Sequence, residues 1–279
     1  MQAAMESPNR KRIRTYFRNQ KRVPPRWTWI SIVAGLPLLW FYDKFLLITA
    51  GILAIAAGGL GLRHWLRRAK DAEADLALEA DLAHVLQRAT GAAGLNTTDL
   101  IREPILLTGP RIWDVGKSRI SFRAGKDGLI RHNPVAVTCL FFTEKFLDVY
   151  QCLWDLETGR LTDENTHEYF YIDIVSVDIQ TRDRSFTLSK TDRKQLESYE
   201  DLTPLLRDNK LLLDDASIFT LSTTGGASVQ HLLSAPGLLD LTGTGAFAAR
   251  GLEEATQEIR KLSRERRSDD AGQSTSPLK

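Results

Sequence analysis

The stretch WTWISIVAGLPLLWFY (Trp27–Tyr42), the pair Asp43-Lys44 and the stretch FLLITAGILAIAAGGLGL (Phe45–Leu62) decide how this chain is read. Neither stretch carries a charge. At ~1.5 Å per helical residue they rise about 24 and 27 Å, just short of the ~30 Å hydrocarbon core of a bilayer. Trp27, Trp29, Trp40 and Tyr42 bracket the first stretch as an interfacial aromatic belt does. Three readings compete: a hairpin of two spans turning at Asp43-Lys44, one tilted span, and a secretory signal peptide. One span buries Asp43 and Lys44 near its centre, at ~2.5–3.5 kcal/mol each. A signal peptide needs a cleavage site such as Ala54-Ile55-Ala56, but the basic cluster Arg63, His64, Arg67, Arg68 and Lys70 that follows opposes export. Basic flanks on both sides call for an even number of crossings. The expectation is therefore a transmembrane helical hairpin over 27–62 with N- and C-termini in the cytoplasm; a shallow re-entrant hairpin stays open. Ala50, Ala54 and Gly58 recur every four residues and are the candidate helix-packing positions, toward the first stretch or toward a second copy in a homo-oligomer.

Outward from this segment, charge is uneven. The chain has 37 Lys+Arg against 35 Asp+Glu, a net charge of +2, which sets nucleic acid aside as a partner. Residues 1–26 nevertheless hold Arg10, Lys11, Arg12, Arg14, Arg18, Lys21, Arg22 and Arg26 against the lone acid Glu6. Such a basic tail attracts anionic lipid at ~1 kcal/mol per residue close to a membrane, or serves only as a topology signal. The first seven of these residues are candidate contacts to anionic lipid or a partner. Residues 63–94 read as a helical stalk, basic then acidic, ending in a small-residue hinge at Thr90–Gly94.

From about residue 104 the period changes to two. Val135–Phe142 is a mostly apolar strand, Phe146–Trp154 alternates, and His167–Gln180 is the clearest strand region. Glu157-Thr158-Gly159 and Thr223–Ala227 are turns. Residues about 190–213 read as helical turns inserted between strands, a closing amphipathic helix runs from Gly245 to Arg266, and 267–279 reads as a disordered tail. The domain expected here covers 95–266.

Catalytic signals are weak. Gly109–Ser118 has the look of a phosphate loop, but six residues separate its glycines where four are needed. Gly243-Thr244-Gly245 with Ala248 lacks the following strand of a dinucleotide fingerprint. The two cysteines, Cys139 and Cys152, form no CxxC and read as buried thiols. His167 with Asp163 and Asp173 is the one combination that would suit a membrane enzyme. The expectation is no enzyme, no cofactor and no metal.

Leu140-Phe141-Phe142-Thr143-Glu144-Lys145-Phe146-Leu147 resembles the strand–turn–strand of bacterial membrane-anchored proteins with a pleckstrin-homology-like (GRAM-like) domain. Phe170–Val177 is similar to that family's aromatic-x-x-Ile-x-x-Val strand, and Phe219–Thr223 and the final helix follow in its order. The resemblance covers about 104–265, under two thirds of the chain. It implies a PH-like antiparallel β-barrel capped by a C-terminal helix; with the transmembrane helical hairpin and helical stalk read from the residues, the expected fold is α+β. It implies a non-catalytic adaptor or scaffold at the bacterial inner membrane that binds a protein partner, with sensing of anionic lipid or membrane state as the alternative. Lys117, Arg119, Arg123 and Lys126, beside Arg131, are further candidate lipid or partner contacts, or charges protecting a sheet edge.

Overall fold

The structure is a computed structural model that describes residues 10–18, 26–38, 45–66, 71–116, 118–124, 130–197, 199–234 and 252–274. Two antiparallel sheets form its centre. The first has the order β1-β4-β5-β6, from β1 (Ile105–Pro110), β4 (Val135–Phe142), β5 (Phe146–Asp155) and β6 (Arg160–Phe170). The second has the order β10-β9-β7, from β7 (Ile174–Thr187), β9 (Lys210–Thr223) and β10 (Ser228–Ser234), with the short β8 (Leu206–Arg207) beside β9. A separate hairpin joins β2 (Ser121–Ala124) to β3 (Ile130–Asn133). The helices are α1 (Arg10–Arg18), α2 (Arg26–Leu38), α3 (Phe45–Leu66), α4 (Asp71–Ala93), α5 (Lys190–Leu196) and α6 (Leu252–Ser274).

β4 is apolar except at Thr138 because both of its faces are covered. Val137, Cys139 and Phe141 point to one side, where α4 supplies Leu78, Val85 and Ala89 and α1 supplies Ile13, Tyr16 and Phe17. Leu140 and Phe142 point to the other, against Val177, Phe219 and Leu221 of the second sheet and Ala255 and Ile259 of α6. A third cluster gathers Ile112, Val115 and Ile120 with Leu196 of α5 and Leu213 and Ile218 of β9. Thr143 turns β4 into β5: its hydroxyl donates to the Phe146 carbonyl at 2.7 Å and accepts from the Phe146 amide at 3.1 Å.

The sheets meet along one side and part along the other. At Gly109 of β1 an added Cβ would lie 1.9 Å from the Leu232 carbonyl oxygen of β10, so only glycine lets the two backbones come this close. β6 and β7 are joined by the 3₁₀ turn Tyr171–Asp173 but do not pair; among the described residues β6 pairs only with β5, and β7 only with β9. The expected β-barrel is thus corrected to two sheets without closure. Instead α6 takes the start of the β7 edge: Arg260 Nε donates to Val177 O at 2.9 Å, and Ser263 Oγ to Tyr171 O at 2.8 Å. The His167–Gln180 strand is likewise two strands, broken by that turn.

Among the described residues no helix is long and apolar enough to cross a membrane. This overturns the expected transmembrane hairpin, and with it the membrane and two-span inner-membrane placement with cytoplasmic termini. α2 has 13 residues, a rise of about 20 Å. The uncharged part of α3 rises about 27 Å and ends at Arg63. The turn expected at Asp43-Lys44 lies outside the described residues. What the small residues do is join α2 to α3 antiparallel. An added Cβ would lie 2.8 Å from Ile55 at Gly35, 2.8 Å from Thr28 O at Gly58, and 2.6 Å from Trp27 at Gly61.

Of the expected stalk, residues 67–70 lie outside the described residues, and α4 packs on the first sheet. The expected hinge lies inside α4, which continues to Ala93. There Gly94 takes φ +66°, with Leu95 N–H bonded to Thr90 O and Gly94 N–H to Gly91 O, a Schellman ending. The closing helix extends to Ser274, into the stretch read as a disordered tail.

Candidate functional site

Of the basic residues singled out in the sequence, Arg10, Arg14 and Arg123 make contacts within the fold among the described residues. Arg10 is buried; its Nη1 lies 2.8 Å from Asp81 Oδ2 and donates to Leu156 O at 3.0 Å. Desolvation lowers its pKa, against the pull of Asp81. Arg14 Nε donates to Glu157 O at 2.7 Å. Arg123 Nη1 donates to Tyr16 O at 2.6 Å while its guanidinium sits 3.8 Å over the Tyr16 ring. Arg131 is fully buried and grips Asp75 with two bonds of 2.7 and 2.6 Å. Arg119 is exposed. Lys11, Arg12 and Arg18 lie in α1, where their side chains are not described, and Lys21, Arg22, Lys117 and Lys126 lie outside the described residues. Arg10 thus ties α1 to α4 and to the β5–β6 turn, the exposed Arg14 bonds the same turn, and Arg123 of β2 bonds back to α1. Of the helix-packing candidates, Gly58 is buried toward α2, Ala54 lies beside Gly35, and Ala50 faces outward.

A cleft of about 610 Å³ opens where β6 and β7 part. β6 contributes Asp163 and Asn165, β5 contributes Gln151 and Leu153, β4 contributes Ala136 and Thr138, and β10 contributes Gln230, His231 and Leu232. Phe186 of β7 and Trp113 form an aromatic lip, stacked with centroids 3.7 Å apart. The segment carrying Trp113 is held by α5. Ser189 caps that helix by accepting from Asp192 N at 3.1 Å. Asp192 Oδ2 accepts from Asp114 N at 3.1 Å, and Gln195 Oε1 accepts from Ile120 N at 2.8 Å. Arg111 lies 5.2 Å over the Trp113 ring and 3.7 Å from Asp114.

The floor is polar and neutral. Gln151 Nε2 donates to Thr138 Oγ1 at 3.3 Å, and Thr138 Oγ1 lies 2.9 Å from His231 Nδ1. With Gln151 donating, the Thr138 hydroxyl hydrogen is free to serve Nδ1, which leaves the imidazole hydrogen on Nε2, toward the Thr108 backbone. Nε2 makes no hydrogen bond of ordinary geometry among the described residues. Burial pushes the His231 pKa down to about 4, against the Thr108 backbone contact, so the ring is uncharged at neutral pH. This floor offers amide and hydroxyl groups, which match uncharged hydrogen-bonding groups such as a peptide backbone.

The combination His167, Asp163 and Asp173 does not converge. Asp163 lines the cleft, His167 stacks on Tyr169 at 5.9 Å, and Asp173 sits past the far end of β6, accepting from Thr224 Oγ1 at 3.4 Å. About 23 Å of extended strand separates Asp163 from that turn. Among the described residues no group of three His, Cys, Asp or Glu side chains is placed to hold a metal. Cys139 and Cys152 are buried free thiols, and burial pushes Cys152 up to about 12. The cleft residues Trp113, Thr138, Gln151, Phe186 and His231 carried no sequence signal, since each belongs to a different segment. No protein-family model, no curated protein and no solved structure matches this chain.

Proposed function

We propose that this chain is a non-catalytic binding domain that holds a segment of a protein partner in the cleft between β6 and β7. The observation that carries this is the cleft itself: about 610 Å³, with an uncharged hydrogen-bonding floor and an aromatic lip, between two strands that each have one pairing neighbour among the described residues. Extended segments bind such places through main-chain hydrogen bonds and pockets for alternate side chains. The resemblance of Leu140–Leu147 and Phe170–Val177 to pleckstrin-homology-like domains points the same way, toward binding rather than catalysis.

The test is affinity capture with the full-length protein, wild type against Asn165→Trp. Asn165 is exposed and lines the cleft, so the indole fills the mouth without disturbing the core. The expected outcome is a stoichiometric protein held by the wild type and lost from a variant of unchanged thermal midpoint. A partner retained by both proteins places binding elsewhere and overturns the proposal.

A further inference from the structure

Resting on that binding role, we propose that the bound segment is an extended strand with basic residues at alternate positions, added to the free edge of β6. β6 is 11 residues long and pairs only with β5 among the described residues. Its register divides its side chains between two faces. Asn165 and His167 pair with Gln151 and Val149, on the face that looks into the cleft and the second sheet. Thr166 and Glu168 pair with Tyr150 and Asp148, on the face that α4 partly covers. Glu164 is on that second face as well, accepting from the Tyr150 hydroxyl at 2.7 Å and from Arg88 Nε at 3.1 Å.

The second face is acidic and incompletely compensated. Asp148 is only 4% exposed, and its Oδ2 has no hydrogen-bond partner among the described residues. Directly across from it stands the exposed Glu168. Like charges facing each other across a strand pair are unfavourable. Burial, and then Glu168, push the Asp148 carboxyl up to about 6. A Lys or Arg on a strand added to β6, opposite Glu168, comes within ~5.5 Å Cβ to Cβ. Its long side chain reaches Glu168 and Asp148 together. The next position on that face meets Thr166, and the one beyond it Glu164. The residues between them face the cleft, where the neutral floor and the Trp113–Phe186 lip accept uncharged side chains. Charge selects the occupant: a second copy of β6 would set Glu164 and Glu168 against acids of its own, which is how charged edges block self-pairing. The competing edge is already engaged at its start, where Arg260, Ser263 and Arg267 of α6 donate to carbonyls of residues 171–177.

The probe is an eleven-residue fluorescent peptide alternating Lys and Thr, matched to the length of β6, read by anisotropy on the full-length protein. Two control peptides replace every Lys with Glu, or the central Thr with Pro. Glu168→Lys changes an exposed side chain, and its fold is checked by near-UV circular dichroism. The Lys–Thr peptide is expected to bind, and to lose about tenfold in affinity with the Pro substitution or with Glu168→Lys. The Glu–Thr peptide is expected not to bind the wild type. Equal binding of the Pro-containing peptide shows attraction by charge without strand pairing and overturns the proposal, as does equal binding by Glu168→Lys or no binding of the Lys–Thr peptide. Should Asn165→Trp still release a captured partner in any of those cases, the cleft function stands and only the basic-strand assignment falls.

Discussion

His132 and His231 approach the same backbone corner of β1, His132 at Gly109 and His231 at Thr108. Burial pushes both down to about 4 from an ordinary value of 6.5. The unfolded chain therefore takes up two protons between pH 6.5 and 4 that the folded chain refuses. Their contribution to stability is complete above pH 6.5 and is lost as pH falls toward 4. Asp148 works in the opposite sense: raised from 3.8 to about 6, it binds its proton more readily folded and offsets part of the loss in the overlapping window. Two groups outweigh one, so the urea midpoint is expected to fall between pH 7.5 and pH 5. His231→Gln, uncharged throughout, should flatten that slope; an unchanged slope would show that the ring is charged in the folded state. Some residue-scale features were legible in advance. Thr143 marked its turn because the hydrogen bonds that make it are local. Cys139 and Cys152 read as buried thiols because they sit inside apolar strands. The Gln151–Thr138–His231 ladder was not legible, because its members come from three strands.

At the scale of elements, α1 departs most from what its composition implies. A run of Arg and Lys with Tyr16 and Phe17 looks like a solvated tail. In the fold Ile13, Tyr16 and Phe17 are buried against α4 and the first sheet, and the Tyr16 hydroxyl donates to Asp71 Oδ1 at 2.9 Å. The acidic run of α4 is its counterpart: Asp71 receives Tyr16, Asp75 pairs with Arg131, and Asp81 pairs with Arg10. Removing a fully buried aromatic ring leaves a cavity, so Tyr16→Ala should cost ~3 kcal/mol, read as a lowered denaturation midpoint. A free tail would show no change at all. The apolar runs of α2 and α3 were read as membrane spans; in the fold Gly35, Gly58 and Gly61 lie at the contact between the two helices. Their exposed outer residues, among them Ile30, Val33, Leu53 and Leu60, leave that pair apolar on its outside.

For the whole molecule, the decisive contact is the one that brings the two sheets together at β1 and β10. Gly109 was read as a glycine of a failed phosphate loop, and its role is steric. A methyl group there would collide with main chain, which cannot rotate away as a side chain can. Gly109→Ala should therefore destabilise the protein by ~3 kcal/mol, measured by urea denaturation; a loss under ~0.5 kcal/mol, the range of ordinary surface changes, would mean that the sheets do not meet there. The sequence by itself determined the antiparallel strands, the turns at Thr143, Glu157–Gly159 and Thr223–Ala227, and the closing helix. All of these follow from side-chain period and turn chemistry acting over a few residues. Only the tertiary structure decided that the basic N-terminal helix is docked, that no helix among the described residues is long and apolar enough to cross a membrane, and that the sheets part at β6 and β7 into a cleft. Those outcomes depend on charges, backbones and strand edges far apart in the chain, whose meeting no local pattern records.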